Sequence, residues 1–205
     1  MKDNIIGKKI DPSAANAITA AVKSIVPMSD SDMELLMSIL ENRTIKKHEY
    51  LLKEGEVSQN VYFLIDGFFR MYYIDHTGSE INYRFTDRNN FFVDFQSFVT
   101  QKPSHFYWQA MENSEMLALP YNKIQDAYAS SPAWSNFGRH IAEHVYLQLN
   151  ERVEMLLFMS PEERYLHLLK TRPQIFTQVS QFHLSSYLGI KPESLSRLRK
   201  RLLRH

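Results

Sequence analysis

Apolar residues recur along the chain with two different periods. Over residues 12–41 they return every three or four positions, as Met33, Leu36, Met37 and Leu40 do. This spacing predicts helical structure, with Ser29, Asp30 or Ser31 available as an N-cap. From about Thr44 to Leu119 the chain changes to short runs in which alternate residues are apolar, as strands with one buried face require.

Turn residues separate these short runs, at Glu54-Gly55-Glu56, Asp66-Gly67 and His76-Thr77-Gly78. The runs predicted to be strands are Glu49–Leu52, Val61–Ile65, Phe68–Ile74, Ile81–Phe85 and Met116–Leu119. Many short strands with no helices between them predict an antiparallel sandwich or jelly-roll barrel. The whole chain is therefore expected to be of the α+β class.

A long helix is predicted after Pro132, which suits a first helical turn with Ser130 or Ser131 as the cap. From Ala133 to Met159 the only Gly or Pro is Gly138, so the helix would be about 40 Å long. Its apolar stripe contains Phe137, Ile141, Val145, Leu149, Val153 and Leu156. The stripe is longer than a small sheet domain covers, which predicts a parallel two-helix dimer contact. The alternative is a helix that lies entirely on its own sheet.

The C-terminal segment has the pattern of a helix-turn-helix. Ser160-Pro161-Glu162-Glu163 forms a capping box for a short helix over Arg164–Lys170. Between residues 180 and 202 two short helices meet at Gly189, which accommodates a left-handed turn. The apolar side is supplied by Leu184, Leu188, Ile190, Leu195, Leu198 and Leu202, and the small Ser185 lies where the helices approach. In this motif the N-terminal end of the second helix enters the major groove of DNA.

The polar face of the second helix carries the candidate DNA contacts. Arg197 offers two donors to a guanine edge and Glu193 an acceptor to a cytosine amino group. The predicted base contacts are Glu193, Ser194, Ser196 and Arg197. The predicted phosphate contacts are Ser180, Gln181, Lys191, Arg199, Lys200 and Arg201, with Arg204 completing a basic rim. The alternative is a helical hairpin whose arginines only keep it soluble.

Composition narrows the classes of protein. The 205 residues include no cysteine, which excludes disulfides, thiol catalysis, iron–sulfur clusters and Cys-based zinc sites. The net charge is +1, but the segment from Ser160 onward has nine Lys and Arg against three Glu, which favours an anionic partner. No apolar run approaches the ~20 residues of a bilayer span, and residues 1–25 lack a signal-peptide core. A cytoplasmic protein with no membrane partner is expected.

The motifs resemble those of the Crp/Fnr family of bacterial transcription regulators, in the form common in Bacteroidetes. The resemblance rests on Leu52-Lys53-Glu54-Gly55-Glu56, on the run from Val61 to Gly67, and on the helix-turn-helix string from Ser186 to Arg197. It implies a cyclic-nucleotide-binding-like jelly roll over 1–131, a dimerisation helix over 132–159 and a DNA-binding domain over 160–205. It also implies a homodimer on a palindromic operator, with Glu193 and Arg197 as base readers and RNA polymerase as a further possible partner.

One part of the sequence departs from that family. Cyclic-nucleotide binders carry a Gly-Glu pair and, about nine residues later, an Arg-Ser/Thr-Ala string whose arginine holds the cyclic phosphate. Here the Gly-Glu positions hold Val93 and Asp94, and the arginine position holds Ser104, followed by His105. Lys102 is a flexible point charge that does not replace a planar guanidinium. We therefore expect no cAMP or cGMP binding by the usual route, and no cofactor.

Two interpretations of this degenerate pocket remain open. In one, a less anionic effector occupies a cavity lined by Phe91, Phe92, Phe95, Phe98, Phe106, Tyr107 and Trp108, with Asp94, Lys102, Ser104, His105 or Tyr107 as polar contacts. In the other, which we favour, these aromatic residues fill the barrel. The helix-turn-helix is also expected to lack a full wing, because few residues follow it.

Other classes of function are less well supported by the sequence. No catalytic motif is present, so an enzyme is not expected. Of the eight histidines only His140 and His144 have metal-ligand spacing on one helix face, and no metal is expected. The expected function is a DNA-binding transcriptional regulator without the usual cAMP response. The alternative is a small-ligand or partner-binding sensor whose helix-turn-helix does not bind DNA.

Overall fold

The computed structural model describes residues 10–202. Its helices are α1 (Pro12–Ile25), α2 (Asp30–Ile39), α3 (Phe95–Thr100), α4 (Tyr121–Ser130), α5 (Pro132–Phe158), α6 (Pro161–Thr171), α7 (Ile175–Gln178), α8 (Gln181–Leu188) and α9 (Pro192–Leu202). Its strands are β1 (Glu41–Ile45), β2 (Tyr50–Leu52), β3 (Asn60–Asp66), β4 (Phe68–Ile74), β5 (Glu80–Asp87), β6 (Phe91–Phe92), β7 (Tyr107–Ala110) and β8 (Ser114–Pro120).

The strands form two four-stranded sheets, with the orders β1-β8-β3-β6 and β2-β7-β4-β5. Strand β1 pairs with β8, β2 with β7, and β3 with both β6 and β8, in each case antiparallel. The predicted α+β class and antiparallel jelly roll are therefore confirmed, as are the five predicted strands to within a few residues at their ends. Gly67 makes the tight turn between β3 and β4 at φ +113°, where a Cβ would lie 2.1 Å from Ser114 Oγ. The chain therefore requires glycine at this position.

Two predictions about local structure are wrong, and two short strands were not predicted. Helical structure does not extend to residue 41, because Glu41–Ile45 pairs with β8 as a strand. The strand region does contain a helix, α3, which begins where the Asp94 carboxylate accepts a hydrogen bond from Ser97 N at 3.3 Å. Strands β6 and β7 were not predicted, since two-residue and four-residue runs beside a helix carry little periodicity.

The chain divides into two compact units. The first contains the residues up to Met71 together with Phe85–Val145. Its core joins Ile18 of α1 and Leu36 of α2 to Phe63 of β3 and Trp134 of α5, all of them fully or almost fully buried. Ser29 opens α2 as a complete capping box with Asp32, and this pairing lowers the pKa of Asp32.

The second unit contains Tyr72–Arg84, which includes the tip of the β4–β5 hairpin, and the chain from Tyr146 onward. Its buried apolar residues are Met155, Tyr165, Leu168, Ile175, Val179, Leu184, Leu188, Leu195 and Leu198. Helix α6 begins at the predicted capping box, where Ser160 Oγ accepts from Glu163 N at 3.3 Å. In return Ser160 N donates to Glu163 Oε2 at 2.8 Å, and the hydrogen bonds that the carboxylate receives from the Ser160 backbone and side chain lower the pKa of Glu163. Helix α7 was not predicted.

Candidate nucleic-acid interface and jelly-roll pocket

The helix-turn-helix is built around a glycine turn. Helix α8 begins at Ser180, whose Oγ accepts from His183 N at 3.2 Å, and ends at Gly189 in the left-handed conformation at φ +65°. Leu195 and Leu198 of α9 are 0% and 5% exposed, and the small Ser185 of α8 is 1% exposed. Because its leucines face inward, α9 presents its polar side to solvent.

The predicted base contacts lie on the first two turns of α9. Glu193 and Arg197 are exposed and stand four residues apart, which places them on one face of the helix. Ser194 and Ser196 are half-buried. Arg197 Nη2 donates to Ser194 Oγ at 3.2 Å, a weak tether that holds the guanidinium near the start of the helix. The fold thus brings these four residues together.

The predicted phosphate contacts are more varied in their surroundings. Lys191 and Lys200 are exposed, and Arg199 is half-buried. Gln181 Nε2 donates to Pro192 O at 3.2 Å, so its side chain links the two helices of the motif. Arg201 forms an ion pair with Glu162 of α6. Arg204 lies outside the described residues. The prediction that the motif lacks a full wing also concerns residues outside that range.

The predicted apolar stripe of α5 divides into two parts. Phe137 is buried, with its ring 6.0 Å from that of Trp134 and 5.7 Å from that of Phe91, so it belongs to the core of the first unit. Ile141 and Val145 are half-buried. By contrast Leu149, Val153 and Leu156 are 44%, 44% and 41% exposed, and Tyr146 is 65% exposed. The first unit thus covers only the beginning of the predicted stripe, and the exposed series has the three-and-four spacing of a coiled-coil seam.

In the jelly roll, two of the five predicted pocket residues meet. Ser104 Oγ donates to Asp94 Oδ2 at 2.5 Å, while Asp94 Oδ1 accepts from Ser97 N. Both Asp94 and Ser104 are 3% exposed. Asp94 and Ser104, the positions predicted to correspond to the glutamate and the arginine of cyclic-nucleotide binders, are thus hydrogen-bonded to each other.

The other three predicted pocket residues are not brought to this pair. Lys102 and His105 are exposed. Tyr107 is half-buried, and its hydroxyl donates to Glu54 Oε2 at 3.1 Å. Burial and the neighbouring Glu54 raise the pKa of Tyr107.

A cavity of about 470 Å³ opens beside Asp94, lined by residues of β2, the 56–60 loop, Tyr62 and Trp108. Of the seven aromatic residues predicted to line a pocket, only Trp108 borders it. Phe92 and Phe98 are buried instead, and the Phe92 ring lies 5.0 Å from those of Phe69 and Trp108. Most of the aromatic cluster therefore fills the core.

Two arginines that were not predicted as functional residues make specific contacts inside the protein. Arg70 of β4 is 4% exposed and donates to Gln109 Oε1 through Nε and Nη2, at 2.8 and 2.6 Å. Arg152 of α5 stacks on the Tyr187 ring, with Cζ 4.2 Å from its centroid. The available signal for Arg152 was its helical position, because it lies one turn from Gln148 and Met155 and next to the exposed seam.

Residues 10–202 contain neither a metal-binding cluster nor a membrane-spanning helix. In that part of the chain no three His, Asp or Glu side chains come together as a metal-binding group, and His140 instead lies 3.3 Å from Glu143. No described helix combines the length and apolar character that a membrane crossing requires.

The comparisons with known proteins agree with this geometry. Residues 42–131 match the family model of the cyclic nucleotide-binding domain. The anaerobic regulatory protein of Pasteurella multocida is 26% identical, over 98% of this chain and 79% of its own length.

Solved structures show the same fold. FixK2 from Bradyrhizobium japonicum superposes with a TM-score of 0.68 at 18% identity, covering 81% of this chain and 85% of its own. The Thermus thermophilus catabolite activator protein superposes with a TM-score of 0.57 at 17% identity, covering 90% and 87%. The predicted resemblance is confirmed: residues 42–131 match the model of the cyclic nucleotide-binding domain, and the chain is similar over most of its length to regulators of the Crp/Fnr type. The two curated relatives from Pasteurella multocida and Haemophilus influenzae are both named anaerobic regulatory protein.

Proposed function

We propose that this protein regulates transcription by binding a two-fold symmetric DNA site as a homodimer, without the usual response to cAMP. The observation that carries the proposal is the division of α9 into two faces. Leu195 and Leu198 are buried, while Glu193 and Arg197 are exposed on the first two turns. A helix held by its apolar side, with paired donors and acceptors on the other, suits base recognition in a major groove.

Dimerisation is supported by the exposed part of α5. Tyr146, Leu149, Val153 and Leu156 follow heptad spacing and are each more than 40% exposed. An apolar seam of this kind is costly in water and is covered when a second α5 packs in parallel against it. A two-fold axis along α5 would present two copies of α9 to half-sites one helical turn apart.

Loss of the cyclic-nucleotide response is supported by the Asp94–Ser104 pair. A cyclic phosphate needs a cation at the position of Ser104, but that hydroxyl already donates to the Asp94 carboxylate. A ligand phosphate placed there would meet a buried carboxylate and no guanidinium. Calorimetric titration with cAMP and cGMP should therefore detect no binding, and micromolar binding of either would contradict this part of the proposal.

DNA binding is tested by selecting genomic fragments with the purified protein and measuring affinity by fluorescence anisotropy at two salt concentrations. Arg197→Ala should cost about 1–3 kcal/mol on selected sites and relax base preference at one position. Lys200→Ala should weaken all sequences alike and reduce the salt dependence. The matched control is Lys123→Ala, an exposed lysine on α4 in the first unit. If Arg197→Ala and Lys123→Ala behave alike, α9 does not read bases, and the ligand-binding or partner-binding alternative gains support.

The dimer is tested with two valines of similar exposure. Val153→Glu places a charge on the α5 seam, whereas Val99→Glu alters a valine on α3 that is 55% exposed. Light scattering coupled to size-exclusion chromatography should show a dimer for the parent and for Val99→Glu, but a monomer for Val153→Glu at micromolar concentration. A monomeric parent, or an unaffected Val153→Glu dimer, would contradict the α5 interface.

A further inference from the structure

The second unit contains an arginine whose hydrogen-bonding capacity is largely unused. Arg152 Nη2 makes a long bond of 3.4 Å to Asn82 O, in the β4–β5 hairpin. Its Nε and Nη1 are buried and have no hydrogen-bond partner. Buried N–H groups left unpaired cost free energy, and charged ones cost the most. Arg152 therefore has two buried N–H groups available to an acceptor.

A second cation faces the same region. Arg164 of α6 donates through Nη1 to Leu188 O at 2.7 Å, at the end of α8, while its Nε is buried without a partner. Burial is the main cause of the lowered pKa of Arg152, and the positive charge of Arg164 lowers it further. The opposing influences come from Tyr187, Tyr83 and Tyr73, so no carboxylate is among the groups that act on it. Two guanidinium groups thus lie near each other without a counter-ion among the described residues.

The Arg152 guanidinium is surrounded by residues of α8 and of the β4–β5 hairpin. The Tyr187 ring covers one face of the guanidinium. The side-chain oxygen of the fully buried Asn82 has no hydrogen-bond partner, because the amide nitrogen is the atom directed at His183. The hairpin is held to α8 by Ser186, whose Oγ accepts from Asn82 N at 2.8 Å and donates to Glu80 O at 3.0 Å. These two hydrogen bonds fix the position of the hairpin against α8.

We infer that Arg152 and Arg164 form a binding site for a phosphate group, supplied either by inorganic phosphate or by a small phosphomonoester. The phosphate oxygens would accept from Arg152 Nε and Nη1 and from Arg164 Nε. The protonated oxygen of hydrogen phosphate would donate to Asn82 Oδ1, which a fully ionised anion such as sulfate does not do. The inference goes beyond the proposed function and does not depend on it, because phosphate binding is measurable without DNA.

The test compares thermal unfolding of the full chain in phosphate and in chloride at matched ionic strength and pH, with titration calorimetry as a direct measure. Inorganic phosphate should raise the Tm of the parent by roughly 3 °C or more at a concentration about tenfold above its Kd. Glycerol phosphate serves as the phosphomonoester arm, and a larger shift with it than with inorganic phosphate assigns the site to a phosphorylated metabolite. Sulfate should give a smaller shift than phosphate.

The variants are Arg152→Met and Arg164→Met, with Arg139→Met, an exposed arginine elsewhere on α5, as the matched control. Arg152→Met should abolish the phosphate shift while leaving the Tm in chloride equal to or above that of the parent, because it removes an uncompensated charge. Arg164→Met should weaken phosphate binding at least tenfold in calorimetry. No phosphate shift in the parent, or an equal shift in the parent, Arg152→Met and Arg139→Met, would overturn the assignment.

Discussion

Two buried polar groups, one in each unit, differ in how completely their hydrogen-bonding capacity is used. Asp94 of the jelly roll accepts from both Ser97 N and Ser104 Oγ and is 3% exposed. Arg152 of the second unit has one long bond, and two of its three nitrogens lack partners. A buried polar group that is fully paired stabilises the fold, whereas one that is unpaired costs stability unless something binds it. The position predicted to correspond to a ligand contact of cyclic-nucleotide binders is thus fully paired, and the unpaired N–H groups lie in the other unit.

The largest effect that follows from this comparison is expected at Asp94. Asp94→Ala removes both the N-cap of α3 and the acceptor for Ser104, which should lower the free energy of unfolding by about 3 kcal/mol. Urea unfolding followed by tryptophan fluorescence measures the change.

Two controls separate the bonds of Asp94 from a general loss of charge. Asp94→Asn keeps an acceptor and a good N-cap residue, so it should recover most of the stability. Asp126→Ala removes an exposed aspartate on α4 and should change little. An Asp94→Ala variant as stable as the parent would mean that Asp94 does not stabilise the jelly roll, and the comparison would fail.

An intermediate effect is expected where the hairpin joins α8. Ser186→Ala removes the bond to Glu80 O and leaves the buried Asn82 N–H unpaired, at a cost of about 1.5 kcal/mol. Hydrogen exchange should then accelerate at the Asn82 amide and along the hairpin tip, while the jelly-roll core stays protected.

The control for Ser186 is Ser38→Ala on α2, an exposed serine whose hydroxyl bonds only to Leu35 O of its own helix. Faster exchange throughout the chain in Ser186→Ala would show that the hydrogen bonds of Ser186 stabilise more than the hairpin. If only the hairpin is affected, Ser186→Ala should also reduce the Tm shift caused by phosphate, since Asn82 forms part of the proposed site.

Much of the fold was predictable because it depends on local chemistry. Pro132 and the Ser160 capping box mark helix starts, and Gly67 and Gly189 adopt backbone conformations that other residues avoid. Strand β1 was not predictable from its own residues, because its polar sequence Glu41–Ile45 becomes a strand only through pairing with β8.

The candidate sites also contain some features that the sequence predicts and others that depend on contacts between distant parts of the chain. Helical spacing alone separates the buried leucines of α9 from Glu193 and Arg197. The missing arginine at Ser104 is visible in the sequence, but its consequence, the hydrogen bond to Asp94, requires α3 to begin at that carboxylate. The Arg152 cluster joins residues from the hairpin, α5, α6 and α8, so no sequence window contains it. Long-range convergence of this kind has no local periodicity to reveal it.

The smallest effect is expected at Lys102, the cation nearest in sequence to the missing arginine. Lys102 is exposed, and its known contact is made by its backbone carbonyl, which accepts from Ser97 Oγ at 2.6 Å. Lys102→Ala keeps that carbonyl, so stability should change by less than about 0.5 kcal/mol. The phosphate shift in Tm should also equal that of the parent, because a solvated ammonium binds anions weakly. Loss of the phosphate shift in Lys102→Ala, with its retention in Arg152→Met, would place anion binding back in the jelly roll and reverse the comparison between the two units.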